Sequence, residues 1–374
     1  MTRFLNNVGH EVDNCILGAR ASGTSNAKAL ASSPAFPVQD TINTPVTIRL
    51  FGPSNHVFAS TRLSSRPDPN IPGFDCGDSS DDMATHYSPS SLNDVSGLVV
   101  VVTGGGTGIG AIMAKTLEAN GAKKVYITGR REDRLQEVAK QAQHGNIVPL
   151  QASVTSHDDL QRIVDHITND IGHIDLLVNN AGMTTWDASG QRPKPTVESS
   201  AAEVRDYYFN YRPAKVWTDC LETNVAAVFT TSMAFLELLD AGNKKRDKSL
   251  PTSQIISVGS VGGMNRATDS FVYNASKAAV HHLMKNLGAT FIPFNIRTNV
   301  IAPGWFPSEM TAPISKAYEG TKGVMPKSMV PQERMGTSEE MAGTILYLAG
   351  KAGGYCNGSV MLIDGGFLAN HAGP

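Results

Sequence analysis

The sequence predicts an α/β fold, a doubly wound, seven-stranded parallel sheet over residues 91–374. Three observations lead to this prediction. Short runs rich in β-branched residues recur along this region, and longer amphipathic segments separate them. A glycine-rich turn joins the first run to the first amphipathic segment. No linker-like stretch divides the region, so we expect it to form a single domain.

The predicted strands are short and almost continuously apolar, the pattern of a parallel sheet that helices cover on both faces. The first contains four consecutive valines, and the second, fifth and sixth are also rich in valine or isoleucine. In chain order, the predicted strands cover residues 98–103, 125–128, 147–151, 174–178, 253–258, 296–301 and 359–363.

Longer amphipathic segments between these strands predict the helices that connect parallel neighbours. In chain order, they cover residues 108–120, 133–143, 157–171, 216–240, 271–291 and 338–348. The segment 216–240 is predicted to be one long helix. Regular alternation of strand and helix is typical of a doubly wound sheet.

Residues 1–90 differ in composition from the rest of the chain. They are rich in serine, proline, asparagine and aspartate without a sustained period, so we predict an irregular or disordered extension. Scattered arginines allow a mitochondrial targeting segment, although the early acids Glu11 and Asp13 are unusual in one. A natural start at Met83, which would exclude the extension from the functional protein, is a third interpretation. The expected location is cytoplasmic, with mitochondrial import as the alternative.

The composition argues against several classes of function. Of the 374 residues, 41% are hydrophobic and 18% charged, the net charge is −2, and no dense basic stripe indicates a nucleic-acid partner. The four cysteines are scattered, which implies neither a disulfide framework nor a zinc site. No apolar run is long enough to span a bilayer. We therefore expect no metal, no nucleic acid and no membrane partner.

The glycine-rich turn at residues 103–110 has the context of a phosphate-binding loop, because a strand precedes it and a helix follows. Glycines let the backbone turn tightly and approach a pyrophosphate, and the start of a helix offers free N–H groups. The turn therefore predicts a dinucleotide site on a Rossmann-type sheet. Its predicted contact residues are Gly104, Thr107, Gly108 and Gly110.

Two arginines, Arg130 and Arg131, stand where the second strand ends. A cofactor without a 2′-phosphate is normally held here by an acidic residue that bonds the ribose hydroxyls. Guanidinium groups suit a phosphate, whereas a carboxylate would repel it. The sequence therefore favours NADP(H) as the cofactor. NAD(H) is the alternative if both arginines are only exposed residues at a helix start.

A tyrosine and a lysine one helical turn apart, Tyr273 and Lys277, form the candidate acid–base pair. Residues i and i+4 of a helix lie on one face, which would put the ammonium beside the phenol. A fixed positive charge favours the phenolate and lowers its pKa from about 10. A pKa of about 7 needs roughly 4 kcal/mol, which Lys277 and a cationic cofactor could supply together.

Residues 90–370 resemble the short-chain dehydrogenase/reductase family, in its compact single-domain branch. The glycine spacing at 103–110 matches that branch, and Asn179-Asn180-Ala181-Gly182 matches the family's motif after the fourth strand. Pro303-Gly304 after the sixth strand and Asp364-Gly365-Gly366 near the C-terminus match two further motifs.

The resemblance implies a catalytic tetrad. Tyr273 would be the proton donor and acceptor, and Lys277 would lower its pKa and hold the nicotinamide ribose. Ser260 would position the substrate oxygen, with Ser257 as the alternative serine. Asn224 would anchor a water in the proton relay.

The resemblance also implies contacts to every part of the cofactor. Ile109 would approach the pyrophosphate, and Phe306 and Ser308 would cover the nicotinamide carboxamide. Where relatives often have an Asp-Val pair beside the adenine, this chain has Ser153 and Val154, so we expect altered adenine contacts. The further implied contact residues are Asn180, Ala181, Gly182, Tyr273, Lys277, Pro303 and Gly304.

Two segments depart from the family pattern or vary within it. The polar and aromatic insertion at 184–215 is predicted to be a substrate lid, a subunit contact or a surface loop. The segment 303–334 is predicted to be the mobile substrate loop. Its first part is similar to ketoacyl-reductase-like members, which suggests a bulky or oxo-acyl-like substrate.

The sequence thus predicts an NADP(H)-dependent oxidoreductase that interconverts a ketone and a secondary alcohol. The alternatives are an NAD-dependent alcohol dehydrogenase of the same fold and a non-catalytic dinucleotide-binding protein. The expected partner is a small carbonyl or alcohol substrate. Relatives pair through the helices corresponding to 216–240 and 271–291, which implies a homodimer or homotetramer. His281 and His282 are interpreted as packing or surface residues.

Overall fold

The computed structural model of the chain describes residues 87–185, 194–196, 198–209, 213–266 and 270–371. The expectations for the N-terminal extension concern residues that lie almost wholly outside these ranges. The described residues form the sheet and its helices, and they contain every residue of the predicted site.

Seven parallel strands form one sheet, in the order β3-β2-β1-β4-β5-β6-β7. The strands are β1 Val99–Thr103, β2 Lys124–Gly129, β3 Ile147–Gln151, β4 Leu176–Asn179, β5 Gln254–Val258, β6 Arg297–Pro303 and β7 Val360–Ile363. The chain starts in the middle of the sheet and winds outward to both sides, with β1 between β2 and β4. The predicted doubly wound, seven-stranded parallel sheet is therefore confirmed.

Helices connect the strands and cover both faces of the sheet. They are α1 Pro89–Leu92, α2 Gly108–Ala119, α3 Glu132–Lys140, α4 His157–Asp170, α5 Ala201–Phe209, α6 Ala214–Leu221, α7 Ala227–Ala234, α8 Leu236–Lys245, α9 Phe271–Thr290, α10 Ala312–Ala317, α11 Ser338–Ala349 and α12 Phe367–Asn370. Local capping explains some of the boundaries. The Ser156 hydroxyl accepts from an N–H of the first turn of α4, and Thr337 and Glu340 form a capping box at α11.

Strand β1 shows why the core has two halves. Its residues alternate between the faces of the sheet, so Val100 and Val102 pack with side chains of α2 and α11. Val99 and Val101 pack on the opposite face with side chains of α4, α8 and α9. All four valines have no exposed surface. Each contributes about 1.5–3 kcal/mol by its burial, which fixes the strand that carries the glycine turn.

The prediction of one continuous helix over 216–240 is wrong. A π-helical turn, Glu222–Ala226, separates α6 from α7, and the chain bends by 46° between α7 and α8. A π turn inserts an extra residue without changing the apolar composition, so the sequence pattern could not show it. Such turns are frequent at functional sites, and Asn224 lies within this one.

The insertion at 184–215 contains α5, which the sequence pattern did not predict. The rings of Tyr207 and Tyr208 meet edge to face at 4.9 Å between centroids, and Tyr208 meets Phe271 at 5.3 Å. The described part of the insertion therefore packs beside the start of α9. The short helices α10 and α12 were also not predicted, because neither is long enough to show a helical period.

The described ranges contain neither a single membrane-spanning helix nor a metal-binding cluster. No single helix there is long and apolar enough to cross a membrane, although the bent pair Ala214–Ala234 and Leu236–Lys245 passes the same test by length and composition. No group of three or more His, Cys, Asp or Glu side chains in these ranges is arranged to hold a metal ion.

Candidate functional site

The glycine turn and the end of β4 pack together at the switch point of the sheet. Gly104 has a φ of +64°, and a Cβ there would lie 2.9 Å from the Cα of Ala181, so a side chain does not fit. A Cβ on Gly110 would collide with the side-chain amide of Asn180. Gly108, with a φ of +54°, opens α2. The crevice beside this helix start favours a phosphate.

Asn180 joins the two loops by hydrogen bonds. Its Nδ2 donates to the carbonyl oxygens of Thr103 and Gly104, both at 3.0 Å. The Thr103 hydroxyl oxygen accepts from the backbone N–H groups of Asn180 at 3.0 Å and Ala181 at 3.1 Å. The Asn180 side chain is thus engaged by the glycine turn, so its contribution to a ribose site would come from its remaining atoms.

A cleft of about 1330 Å³ runs along these loops. A single drug-sized ligand occupies a site of about 300–1,000 Å³, so the cleft has room for a dinucleotide and a second molecule. Every predicted site residue lines it except Gly110, Asn224 and the alternative serine, Ser257, which is buried. The functional roles of all of them stay predictions. The lining predicted residues are Gly104, Thr107, Gly108, Ile109, Arg130, Arg131, Ser153, Val154, Asn180, Ala181, Gly182, Ser260, Tyr273, Lys277, Pro303, Gly304, Phe306 and Ser308.

At the end of β2, Arg131 forms an ion pair with Glu309 of the loop that follows β6. The pair is bidentate, with NH2 to Oε2 at 2.7 Å and NH1 to Oε1 at 3.2 Å. The two side chains are 53% and 51% exposed. Hydrogen bonding by Arg131 holds the pKa of the Glu309 carboxyl below its ordinary value. Sequence reasoning missed Glu309, because the contact joins residues 178 positions apart.

The loop after β6 crosses over the glycine turn. The Cβ of Ser308 lies 3.0 Å from the position that a Cβ on Gly108 would take. A Cβ on Gly304 would lie 2.8 Å from the Cα of Asp364, so this glycine allows β6 and the chain after β7 to meet. Phe306 is buried, and its ring fills the space beside Gly336. The ring of Phe306 is therefore a core contact as well as part of the cleft lining.

Ser260, Tyr273 and Lys277 meet in the cleft just beyond the end of β5. The Ser260 hydroxyl accepts from the N–H of Gly262 at 3.0 Å and caps a short 3-10 turn. A Cβ on Gly262 would lie 3.2 Å from both the Ser260 Oγ and the Tyr273 Cε1, so hydroxyl and ring flank the same glycine. The Lys277 Nζ lies 5.7 Å from the centroid of the Tyr273 ring and donates to the Val258 carbonyl at 2.9 Å.

The ionisation of the Tyr273–Lys277 pair differs from the expectation. Burial raises the pKa of Tyr273 above its ordinary value, while hydrogen bonding by the Ser260 side chain acts in the opposite direction. Burial also lowers the pKa of Lys277 to about 8. The predicted lowering of the Tyr273 pKa by Lys277 is thus not found in this structure, because loss of water around the phenolate is the larger effect.

Asn224 lies behind the cleft, in the π-helical turn. Its Oδ1 accepts from the backbone N–H of Met183 at 2.8 Å, and its Nδ2 donates to the Met183 carbonyl at 3.0 Å. The same Nδ2 donates to the Ser276 hydroxyl on α9 at 3.0 Å. The side chain therefore ties the loop after β4 to the helix that carries Tyr273. A water anchored here would be held by the backbone of the turn or by the second lone pair of the Asn224 Oδ1.

His281 was interpreted as a packing or surface residue, and the structure gives it a more specific contact. It is 8% exposed, and its Nε2 accepts from the backbone N–H of Ser260 at 3.4 Å. Burial first, and then the charges of Lys277 and Lys285, lower the pKa of His281 to about 4. The neutral ring therefore supports the serine segment from behind, whereas His282 is exposed.

Comparison with known proteins identifies the family to which this chain belongs. A family model described as short chain dehydrogenase matches residues 98–319. The chain belongs to the short-chain dehydrogenase/reductase family. It is 49% identical over 297 residues to the short-chain dehydrogenase/reductase VdtF of Byssochlamys spectabilis, a match that covers 75% of this chain and 96% of that protein. Membership in the family supports oxidoreductase activity with a nicotinamide dinucleotide.

Other relatives of this short-chain dehydrogenase/reductase are named for ketoacyl reduction. The rhamnolipids biosynthesis 3-oxoacyl-[acyl-carrier-protein] reductase of Pseudomonas aeruginosa is 31% identical over 275 residues, covering 73% of this chain and 97% of that protein. Among solved structures, the Pseudomonas aeruginosa RhlG/NADP active-site complex is similar, with a TM-score of 0.61 and 30% identity. That match covers 74% of this chain and 98% of the other.

Proposed function

We propose that this short-chain dehydrogenase/reductase is an NADP(H)-dependent oxidoreductase that interconverts a ketone and a secondary alcohol, with Tyr273 as general acid and base. The observation that carries the proposal is the grouping of Ser260, Tyr273 and Lys277 in the same cleft as the glycine turn. A hydroxyl pair, an ammonium and a phosphate-binding turn in one cleft suit hydride transfer to a carbonyl carbon.

The chemistry of the site follows from where charge develops. A bound nicotinamide supplies the hydride, which no protein side chain can provide. As the carbonyl carbon takes up a hydride, negative charge develops on its oxygen, and preorganised donors stabilise that charge. The Ser260 and Tyr273 hydroxyls are such donors, and Tyr273 gives the oxygen its proton. In the oxidative direction Tyr273 takes the proton back.

Lys277 supports this proton transfer by its charge. With a pKa of about 8, its ammonium is mostly protonated at neutral pH, and the Val258 carbonyl fixes its position. When the Tyr273 proton leaves, the nearby positive charge stabilises the phenolate that remains. This effect opposes the burial that raises the Tyr273 pKa before the reaction.

The preference for NADP(H) rests on the arginines that line the cleft at the end of β2. Arg130 and Arg131 can offer guanidinium groups to a 2′-phosphate, and a similar solved structure is a complex with NADP. One observation favours the alternative, NAD(H). Glu309 pairs with Arg131, so a carboxylate lies near the end of β2, where an acidic residue normally bonds the ribose hydroxyls of NAD in sheets of this type.

The test is NADPH consumption against ketones of graded size, with Tyr273→Phe beside the wild type. We expect the substitution to lower kcat by about 10²–10⁴-fold, since the proton donor is lost, while NADPH still binds. Tyr355→Phe is the matched control, because Tyr355 is fully exposed and does not line the cleft. Carbonyl reduction at a near wild-type rate in Tyr273→Phe would refute the assigned role.

We also propose that the protein assembles as a homodimer or homotetramer. Large apolar side chains are exposed on the helices through which relatives pair, with Trp217 on α6, Phe229 on α7 and Phe271 on α9. Exposed apolar groups on neighbouring helices are typical of subunit contacts. Light scattering on the eluting peak of a sizing column measures the mass, and a monomer at micromolar concentration would contradict the proposal.

A further inference from the structure

Three aromatic side chains line up beside the cleft, from the loop after β6 to the end of α12. The Phe367 and His371 rings are stacked, with centroids 4.0 Å apart and planes within 13°. Trp305 meets Phe367 edge to face at 6.1 Å. All three residues line the same cleft as Tyr273. We name this arrangement of Trp305, Phe367 and His371 the aromatic row.

The aromatic row is held in place by polar contacts at both ends of α12. The Asp364 carboxylate accepts from the N–H of Gly366 at 2.9 Å and from the N–H of Leu368 at 2.8 Å. Near the end of the helix, the Asn370 side chain donates to the Lys327 carbonyl at 2.6 Å. A surface fixed in this way needs little ordering when a ligand binds, which favours affinity.

The surroundings of the aromatic row are apolar. Phe367 belongs to a buried cluster with Val261, Met325 and Val330, and Ile314 and Met329 pack against it. Val261 follows the catalytic Ser260 directly in the chain, so the apolar cluster begins next to the hydroxyls that face a carbonyl. Aromatic and thioether side chains together suit a flat, apolar ring system.

His371 adds one polar group to this apolar surface. Its Nδ1 lies 2.9 Å from the Phe367 carbonyl oxygen, which can only accept, so Nδ1 carries the hydrogen. In a neutral imidazole with hydrogen on Nδ1, Nε2 is an acceptor. Among the described residues no hydrogen bond to the His371 Nε2 is found. His371 therefore offers an acceptor nitrogen among the residues that line the cleft.

We propose that His371 is a specificity-determining residue that selects ketones built on a planar ring skeleton with a hydroxyl remote from the carbonyl. The inference rests on the proposed function for its chemistry and goes beyond it by naming the substrate class. The carbonyl lies at Ser260 and Tyr273, the rings lie along the aromatic row, and the hydroxyl donates to the His371 Nε2. A site built to bond a hydroxyl discriminates strongly against an analogue that cannot donate.

The test uses two matched probes, 6-hydroxy-2-tetralone, which has the donor, and 6-methoxy-2-tetralone, which does not. Calorimetry with NADP⁺ present gives the ratio of their Kd values, and NADPH oxidation gives the ratio of their kcat/KM values. For the wild type we expect roughly tenfold or greater preference for the hydroxyl probe, the size of one hydrogen bond in a desolvated site. His371→Phe, which keeps the ring stack and removes the acceptor, should bring both ratios to within about threefold of unity.

Two further variants separate recognition from folding. His371→Gln, which restores an acceptor, should recover part of the preference, and Tyr355→Phe, at a fully exposed site, should leave both ratios unchanged. Retained preference in His371→Phe overturns the inference, as does a wild type that binds neither probe or does not distinguish them. If the probes bind with the expected ratio but NADPH is not consumed, the proposed function fails and the recognition stands.

Discussion

Replacing Lys277 with methionine should remove activity and stabilise the fold. Lys277 is 6% exposed, and burial lowers its pKa from 10.5 to about 8. The folded protein therefore holds this proton less tightly than the unfolded chain does. At neutral pH the charged side chain is a cost to the folded state, which methionine of similar length would avoid.

The size of the effect follows from the pKa. The difference between 10.5 and about 8 corresponds to about 3 kcal/mol, at about 1.4 kcal/mol per pH unit. The Val258 carbonyl loses its donor in the variant, which offsets about 1–2 kcal/mol of this gain. We therefore expect the free energy of unfolding of Lys277→Met to exceed that of the wild type by about 1–2 kcal/mol at neutral pH.

The stability difference between Lys277→Met and the wild type should depend on pH in a defined direction. Between a pH of about 8 and 10.5 the unfolded chain binds more protons than the folded protein, so wild-type stability rises with pH relative to the variant. The advantage of Lys277→Met is thus full below a pH of about 8 and is lost toward 10.5. Urea unfolding of both proteins at about pH 7 and about pH 10 measures it. A variant that is less stable at neutral pH, or a difference independent of pH, would refute the reasoning.

Three further substitutions test other parts of the site. Glu309→Gln, which releases Arg131, should raise the preference for NADPH over NADH by up to about fivefold, since exposed ion pairs contribute about 0.2–1 kcal/mol. Fluorescence titrations give the two Kd values, and an unchanged ratio of Kd values would speak against a phosphate role for Arg131. Gly110→Ala should lower the melting temperature and weaken NADPH binding, because the added Cβ has no space. Gly343→Ala, in an open helical position, should instead stabilise the fold by about 0.5–1 kcal/mol. Equal shifts of the melting temperature in the two variants would contradict the steric argument. His281→Leu should lower kcat more than it changes KM, since the backbone N–H of Ser260 loses its acceptor, and His281→Gln should retain more of the rate. Similar kcat values for the two variants would argue against a positioning role for His281.

The strands were predictable because each buried strand leaves a continuous apolar run between polar segments. In β1, four valines precede the threonine, and all are buried as expected from a sheet covered on both faces. The glycine turn was predictable for a related reason. Gly104 has a positive φ, and Gly110 has no space for a Cβ, so only glycine meets these backbone requirements. The glycines in the sequence therefore reveal the turn.

What the sequence could not show depends on contacts between distant segments. The π turn at Asn224 is tied to the loop after β4, and no local period records an extra residue in a helix. Glu309 pairs across the cleft with Arg131, and His281 supports Ser260 from another element. The shift of the Tyr273 pKa is opposite to the predicted one for the same reason. Burial depends on the tertiary structure, and the spacing of two residues on a helix does not reveal it.

The ion pair with Glu309 engages the same Arg131 guanidinium that we propose as a partner of the 2′-phosphate. It tethers the loop after β6 to the end of β2, across the glycine turn that this loop covers. A 2′-phosphate bound at Arg131 would compete with Glu309 for the guanidinium. Binding of NADP(H) would therefore break the ion pair and release the loop, whereas binding of NAD(H) would leave the ion pair in place. Salt weakens exposed ion pairs, so the loop is held less firmly at high ionic strength. Raising the ionic strength should therefore reduce the difference between the exchange rates of the two cofactors.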